Sequence, residues 1–297
     1  MNLKKYIDEK KLKEVLKHGI HKYYLSYPIP KKSGGRRWLD APQDELKSLQ
    51  EEILHNILYE FKPHESAVGF RRNISMIKGA KKHLKSEVIL SLDIVDFFSS
   101  IKAPMIYTLF YWINYKLVNR KKPKLSKKDQ GKIVNLLTYK KRLPQGAPTS
   151  PALSNLVFYK YDKALTELAE NYNLTYTRYA DDMSFSSINP SIDIKKVLPD
   201  IKDILEPDFK LNDKKTHVKR QHQRMTVTGI VVNEKLSVPK YKWRQFRAKL
   251  HNLKMSQKPI SKLEHQKIVG YAQWINQLHP KRGKTFLKEI GKLNLKN

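Results

Sequence analysis

Three carboxylates are the residues of this 297-residue chain best placed to do chemistry. Asp93 closes the apolar run Val88-Ile89-Leu90-Ser91-Leu92, and Asp181 and Asp182 stand side by side between two alternating arms. Carboxylates at the ends of neighbouring strands can hold two hard divalent cations, which prefer oxygen ligands. Two such ions about 3.5–4 Å apart stabilise the attacking and leaving oxygens of an in-line phosphoryl transfer. The plainer alternative is that Asp181-Asp182 is a turn, because Asp favours turns, and that Asp93 is an edge residue. Adjacent carboxylates repel, however, and a chain with 59 Lys and Arg could easily have placed a cation there.

The rest of the chain must position these groups. Val88 to Ile94 reads as a short buried strand, with Asp96 to Ile101 opening the following turn and helix. Leu174 to Ser187 reads as a hairpin around Ala180-Asp181-Asp182. Apolar spacing predicts helices over 3–18, 44–61 (stopped by Pro63), 104–119, 129–140 and 192–205, and another opening at Pro151. Pro28 to Arg37 is a basic hairpin or loop punctuated by Pro and Gly, and 115–128 is a Lys-rich connection. Thr226–Val232 and Leu236–Val238 read as short strands. From Tyr241 onward the pattern is helical and basic, with a break around Pro259. No repeat and no clean linker is present. The expected fold class is α+β: one catalytic body with a basic helical C-terminal subdomain.

The formal net charge is +31. Solubility alone needs a magnitude of about 2–8, so the charge points to a polyanionic partner and to salt-sensitive binding. The charge is also uneven. Residues 235–297 hold 16 Lys and Arg against Glu264 and Glu289, whereas 150–210 hold 7 basic and 10 acidic residues. Basic flanks around an acidic middle suit a protein that grips a phosphate backbone and does acid-rich chemistry at its centre. No run approaches the roughly 20 apolar residues of a membrane span, and MNLKKYIDEKKLKEV has no signal-peptide core. With no cysteine, disulfides, thiolate zinc sites and Cys nucleophiles are excluded. The expectation is a soluble cytoplasmic protein with no membrane partner.

The segments around the carboxylates come in a distinctive order. Leu92-Asp93-Ile94-Val95-Asp96-Phe97-Phe98 is followed by Leu143-Pro144-Gln145-Gly146-Ala147-Pro148-Thr149-Ser150-Pro151 and then by Tyr179-Ala180-Asp181-Asp182. Leu211-Asn212-Asp213-Lys214-Lys215-Thr216 and Val227-Thr228-Gly229 come after. This order resembles the reverse transcriptase palm with its tyrosine–x–Asp–Asp box. Within that family it is most similar to the bacterial retron reverse transcriptases, over roughly residues 25–297. The Lys31-Lys32-Ser33-Gly34-Gly35-Arg36-Arg37 hairpin fits; Gly79-Ala80-Lys81-Lys82-His83 matches the retron Asn-Ala-x-x-His block at Ala80 and His83 but departs from it at Gly79, which replaces the Asn.

The resemblance implies a right-hand polymerase fold with fingers, a palm with an antiparallel sheet, and a helical thumb. Residues 1–30 would be an N-terminal helical extension, 31–90 mainly fingers, 91–234 mainly palm with inserted fingers helices, and 235–297 a basic helical thumb. Asp93, Asp181 and Asp182 would be catalytic and, with Ile94, form the metal site for two Mg²⁺ ions, with Mn²⁺ as a substitute. Lys215 would protonate the departing pyrophosphate. Lys32, Arg37, Asp96, Phe97, Phe98 and Gln145 would bind the nucleotide, Phe98 lying beneath the sugar where a 2′-OH would clash. Tyr179, Gly146, Lys242, Arg244 and Arg247 would contact primer and template. Several keep a plainer alternative: core packing for Phe98 and Tyr179, a turn for Gln145-Gly146, and solvated charge for Lys215 and for Arg36, the candidate adjacent to Arg37.

The same resemblance implies an RNA-directed DNA polymerase acting on deoxynucleoside triphosphates and an RNA–DNA duplex. In a retron its template is a cognate structured noncoding RNA. Synthesis starts from a guanosine 2′-OH and gives branched RNA-linked single-stranded DNA (msDNA), in anti-phage defence with an effector protein. Group II intron-like, diversity-generating and CRISPR-associated reverse transcriptases are the neighbouring alternatives. An RNA-binding scaffold with a vestigial site is the alternative from another class, and the intact acidic triad speaks against it.

Overall fold

In a computed structural model of the chain, residues 3–31, 34–256 and 258–295 are described. Helix α1 (Glu9–His18) starts where the Asp8 carboxylate accepts from the N–H groups of Lys10 and Lys11, satisfying donors that a helix start leaves open. Strands β1 (Tyr24–Pro30) and β2 (Arg36–Pro42) form an antiparallel ladder from Tyr24↔Pro42 to Pro30↔Arg36. Then come α2 (Asp44–Asn56), α3 (Met76–Lys81), β3 (Val88–Asp93), α4 (Phe97–Ser100), α5 (Ala103–Asn119) and α6 (Lys127–Leu137). They are followed by α7 (Ser150–Val157), α8 (Tyr159–Asn171), β4 (Thr175–Tyr179), β5 (Asp182–Ser187) and α9 (Leu198–Leu205). β6 (His217–Arg220), β7 (Thr226–Val227), β8 (Ile230–Val231), α10 (Lys240–Ser256), α11 (Lys262–Leu278) and α12 (Pro280–Ile290) complete the order. One four-stranded sheet has the order β4-β5-β3-β6.

The chain divides into two compact units. The first comprises Met1–Ser75, Leu90–Phe185 and Asp193–Val218. In it, α2 buries Leu46, Leu49 and Ile53, α5 buries Ile106, Phe110 and Ile113, and both helices pack on α6. Phe97, Phe158, Tyr161 and Phe209 form an aromatic cluster with ring centroids 5.0–6.0 Å apart. Such pairs contribute about 0.5–1.5 kcal/mol beyond the area they bury. The second unit comprises Met76–Ile89, Ser186–Ile192 and Lys219–Asn297. Helices α10, α11 and α12 there enclose Phe246, Leu250, Ile268, Ala272, Ile275, Phe286 and Ile290. The close approach of α12 to α11 requires Gly283, because a Cβ there would lie 2.2 Å from the Asn276 Cα. A second cluster joins Ala80, Ile89, Met225, Val227, Ile230 and Val232.

The strand over 88–94 and the hairpin around Asp181 lie where the residue pattern places them. Other boundaries differ. The helix expected over 3–18 is interrupted, because Asp8 caps α1 and a short 3-10 turn covers only Leu3–Lys5. The helix expected over 44–61 ends at Asn56, whose side chain donates to the Tyr6 carbonyl, and a 3-10 turn over Leu58–Glu60 follows. The connection expected over 115–128 shrinks, because α5 keeps burying Leu117 through its last turn. Leu236–Val238 is a single bridge, Ser237 to Val231, and not a strand. The alternation rule passes over β6, which is built of His217-Val218-Lys219-Arg220. Among the described residues, no helix is long and apolar enough to cross a membrane.

Candidate active site

Strand β3 delivers Asp93 at its end, buried to 6 % exposure. A two-residue connection, Ala180-Asp181, joins β4 to β5, leaving Asp181 half-buried in the turn and Asp182 exposed at the start of β5. The backbone ties these two places together: the Ile94 N–H donates to the Asp181 carbonyl at 3.0 Å. From the segment before β6, Asn212 donates its backbone N–H to the Asp93 carbonyl at 2.8 Å and its amide nitrogen to Asp93 Oδ1 at 3.2 Å. Lys215 Nζ lies 3.0 Å from Asp93 Oδ1 and 2.8 Å from Oδ2.

Negative charge in this corner is incompletely compensated. Burial lifts the Asp181 carboxyl above the ordinary carboxylate range. A backbone hydrogen bond opposes this, the Asp93 charge adds to it, and Lys215 and Arg37 pull the other way. Asp182 is exposed as a residue, yet the protein packed around its carboxyl, with the charges of Asp181 and Asp93, pushes it up to about 6 against the pull of Lys215. The hydrogen bond to Asp93 raises Lys215, which stays an ammonium ion at neutral pH.

The donor set fits a hard divalent cation: carboxylate oxygens that repel one another, facing an ammonium group that stands in for a cation on Asp93. The set is not drawn together, however. Among the described residues, no three Asp, Glu, His or Cys side chains form a ready ligand cluster. Lys215 neutralises Asp93 where the sequence expects a metal ion.

The other expected residues fall into place around this corner or away from it. Asp96 is exposed with φ 48°, immediately before α4. The Phe97 ring is in the aromatic core, so only its backbone can face a ligand. The half-buried Phe98 ring is 6.1 Å from that of Phe70, which in turn is 5.7 Å from Tyr179. Arg37 is exposed on β2, and its charge reaches Asp181. Lys32 lies outside the described residues. The Gln145 carbonyl accepts from the Asp40 N–H at 2.8 Å. Gly146 follows at φ 128°, where a Cβ would come within 3.2 Å of the Asp40 carbonyl oxygen; this close passage of two backbones needs a residue without a side chain. Lys242, Arg244 and Arg247 are on α10 in the second unit, Arg244 and Arg247 exposed and Lys242 half-buried. Sequence reasoning missed Asn212, and it missed the wholly buried Arg178–Asp162 pair beneath the turn. The available signal was a charge inside an otherwise alternating strand, opposite an Asp in the buried row Tyr161, Asp162, Leu165, Ala169 of α8.

Comparison with known proteins gives a consistent picture. Residues 29–232 match the family model described as reverse transcriptase (RNA-dependent DNA polymerase). The chain is 30% identical to the retron Mx162 reverse transcriptase of Myxococcus xanthus, over 91% of this chain and 61% of that protein. It is 30% identical to the retron Ec86 reverse transcriptase of Escherichia coli, over 92% of this chain and 82% of that protein. The chain therefore spans less than two thirds of the Mx162 relative and most of the Ec86 one. Among solved structures it is similar to telomerase from Candida tropicalis in complex with a TWJ fragment of telomeric RNA. That match has a TM-score of 0.50 and 14% identity, and it covers 95% of this chain and 56% of that one. The likeness shows the fold, a right-hand polymerase fold of α+β class.

Proposed function

Because the chain belongs to the reverse transcriptase family, and within it to the retron reverse transcriptases, we propose that it is an RNA-directed DNA polymerase copying part of a structured noncoding RNA. One observation carries the reading at the level of chemistry. Asp93 and the Asp181-Asp182 turn are joined through the Ile94 N–H, beside a lysine that already balances one carboxylate.

Reverse transcriptases use divalent metal ions. Asp93, Asp181 and Asp182, with Ile94 beside them, would hold two Mg²⁺ ions, for which Mn²⁺ can substitute. Bound there, such ions activate the attacking oxygen and offset charge on the leaving phosphates. The chain's own residues do the rest. Lys215, held protonated, gives its proton to the departing pyrophosphate once it leaves Asp93. Arg37 and Lys32 hold the β- and γ-phosphates, Arg offering a planar multidentate fork. Asp96 and the Phe97 backbone approach the triphosphate, and Phe98 excludes a 2′-OH. Gln145-Gly146 and Tyr179 border the nascent base pair. Lys242, Arg244 and Arg247 on α10 contact duplex phosphates without reading bases. In this reading residues 1–30 are an N-terminal helical extension and 31–90 are mainly fingers. Residues 91–234 are mainly palm and 235–297 the thumb.

Synthesis starts from a guanosine 2′-OH of the cognate RNA and yields msDNA, in the bacterial cytoplasm, as part of an anti-phage system with an effector protein. The retron relatives and the net charge of +31 support the RNA partner. The test is the nucleic acid that co-purifies from the native host. A discrete short single-stranded DNA that shifts on RNase treatment, and is absent with Asp181→Ala, is the expected result. RNA with no attached DNA would overturn the retron reading.

A further inference from the structure

The turn that carries Asp181 and Asp182 is not relaxed. Ala180 has φ 55°, the left-handed region that non-glycine residues enter at a cost of about 1–2 kcal/mol. Such a conformation persists where surrounding contacts over-determine it. Two contacts do so here, on successive carbonyls. The Asp181 carbonyl accepts from the Ile94 N–H at 3.0 Å. The Ala180 carbonyl accepts from Arg178 Nη1, also at 3.0 Å.

Arg178 is wholly buried, and its guanidinium reaches further than an ion pair requires. Nε donates to Asp162 Oδ1 at 2.8 Å and Nη2 to Asp162 Oδ2 at 2.6 Å, a bidentate fork. Nη2 also reaches Asn155 Oδ1 at 3.1 Å, and the Asn155 amide nitrogen donates to the Gly69 carbonyl at 2.8 Å. Gly69 lies against the turn itself, since a Cβ there would meet the Tyr179 ring at 3.0 Å and the Ala180 nitrogen at 3.1 Å. The flat guanidinium sits 4.4 Å from the Phe158 ring centroid. Tyr176 donates its hydroxyl to Asp162 Oδ1 at 2.9 Å, holding the far end of the fork. Any buried guanidinium must place all its N–H groups on acceptors; what distinguishes this one is where the acceptors beyond Asp162 lie. Here Nη1 is directed at the residue before Asp181, and Nη2 at Asn155 of α7, which in turn holds the carbonyl of Gly69 behind the turn.

We propose that Arg178, anchored on Asp162 in α8, is a positioning residue that fixes the Ala180 backbone and so sets where the Asp181 and Asp182 carboxylates point. The inference rests on the polymerase reading for the use made of those carboxylates, but not for its own test. Lysine cannot replace it, because one ammonium cannot span Asp162, Asn155 and the Ala180 carbonyl in fixed directions.

Two variants of the full chain separate positioning from stability. Arg178→Lys keeps a charge opposite Asp162. The double change Asp162→Leu with Arg178→Met removes both charges together, which buried pairs tolerate far better than the loss of one partner. Asn155→Ala, which leaves the Asp162 fork intact, is the mildest probe should either of these fail to fold. The first readout is Mn²⁺ binding to the protein alone, followed by electron paramagnetic resonance. The second is steady-state primer extension with its Mg²⁺ dependence. The expected result is Mn²⁺ binding weakened about tenfold or more in Arg178→Lys and in the double variant. A few-fold weakening is expected in Asn155→Ala, with RNA retention near wild type, a melting temperature lowered by several degrees because two buried partners lose their hydrogen bonds, and kcat reduced more than KM for the nucleotide. Folded variants that bind Mn²⁺ as wild type does, or a wild type that binds none, would overturn the proposal. A wild type that binds Mn²⁺ in an Arg178-dependent way but extends no primer would sink the polymerase reading and leave this one standing.

Discussion

Replacing Lys215 by Met should make the protein less stable without metal and more responsive to it. Lys215 Nζ is 2.8 Å from Asp93 Oδ2, and the two side chains are 55% and 9% exposed. At that separation the gross attraction is about 1.5 kcal/mol with the dielectric constant of water and about 6 kcal/mol at an effective value of 20. The lysine is more than half exposed, so screening and side-chain ordering reduce its net contribution to about 1 kcal/mol. Its loss also leaves Asp93 nearly buried, with Asn212 as its neutral donor and two further carboxylates nearby. The whole effect is about 1–2 kcal/mol, a fall in melting temperature of roughly 2–8 °C. The same change removes the ammonium that competes for Asp93. A divalent cation binding the folded state stabilises it in proportion to the logarithm of its concentration over its Kd. Thermal melts across a Mg²⁺ or Mn²⁺ series should therefore show a larger metal-induced rise for Lys215→Met than for wild type. A rise equal to or smaller than that of wild type would refute the idea that the lysine stands where a cation belongs.

Other expectations concern separate parts of the chain. His83 is held neutral by burial, at about 4, and its Nδ1 is 2.7 Å from the Ser186 hydroxyl. An unfolded histidine binds a proton near pH 6.5, so the stabilisation is present above that value and is lost as pH falls towards 4. The loss is on the order of 3 kcal/mol, and His83→Gln should flatten this slope in denaturant titrations from pH 7 to pH 4. Gly283→Ala should cost more than about 2 kcal/mol, because its Cβ would overlap the Asn276 backbone, read as a lowered denaturant midpoint. Phe98→Ala should raise ribonucleotide incorporation relative to deoxynucleotide incorporation in primer extension; an unchanged ratio would return Phe98 to the packing it makes with Phe70 and Phe97.

The elements holding the acidic residues were legible because each obeys a local rule. Val88–Asp93 is an apolar run broken only by Ser91 and ending in a carboxylate, and Thr175–Ser187 alternates about a two-residue connection. Asp8 and Ser126 could be read as caps only once the helix starts were known, so the boundaries of α1 and α6 escaped the periodicity. Asn212 and Lys215 came within reach of Asp93 through chain separations of 119 and 122 residues, which no local pattern encodes. The Arg178–Asp162 pair was hidden for a related reason. Each charge looks like a surface residue until the partner 16 positions away is known to share its buried layer.

The central claim is that Asp93, Asp181 and Asp182 serve RNA-templated DNA synthesis. Its most direct test is extension of a labelled DNA primer on an RNA template with Mg²⁺ and deoxynucleoside triphosphates, by wild type and by Asp181→Ala. Extension by the wild type, abolished in Asp181→Ala while RNA binding is retained, is the predicted result. No extension by the wild type on any RNA template, or equal extension by both proteins, would contradict the account.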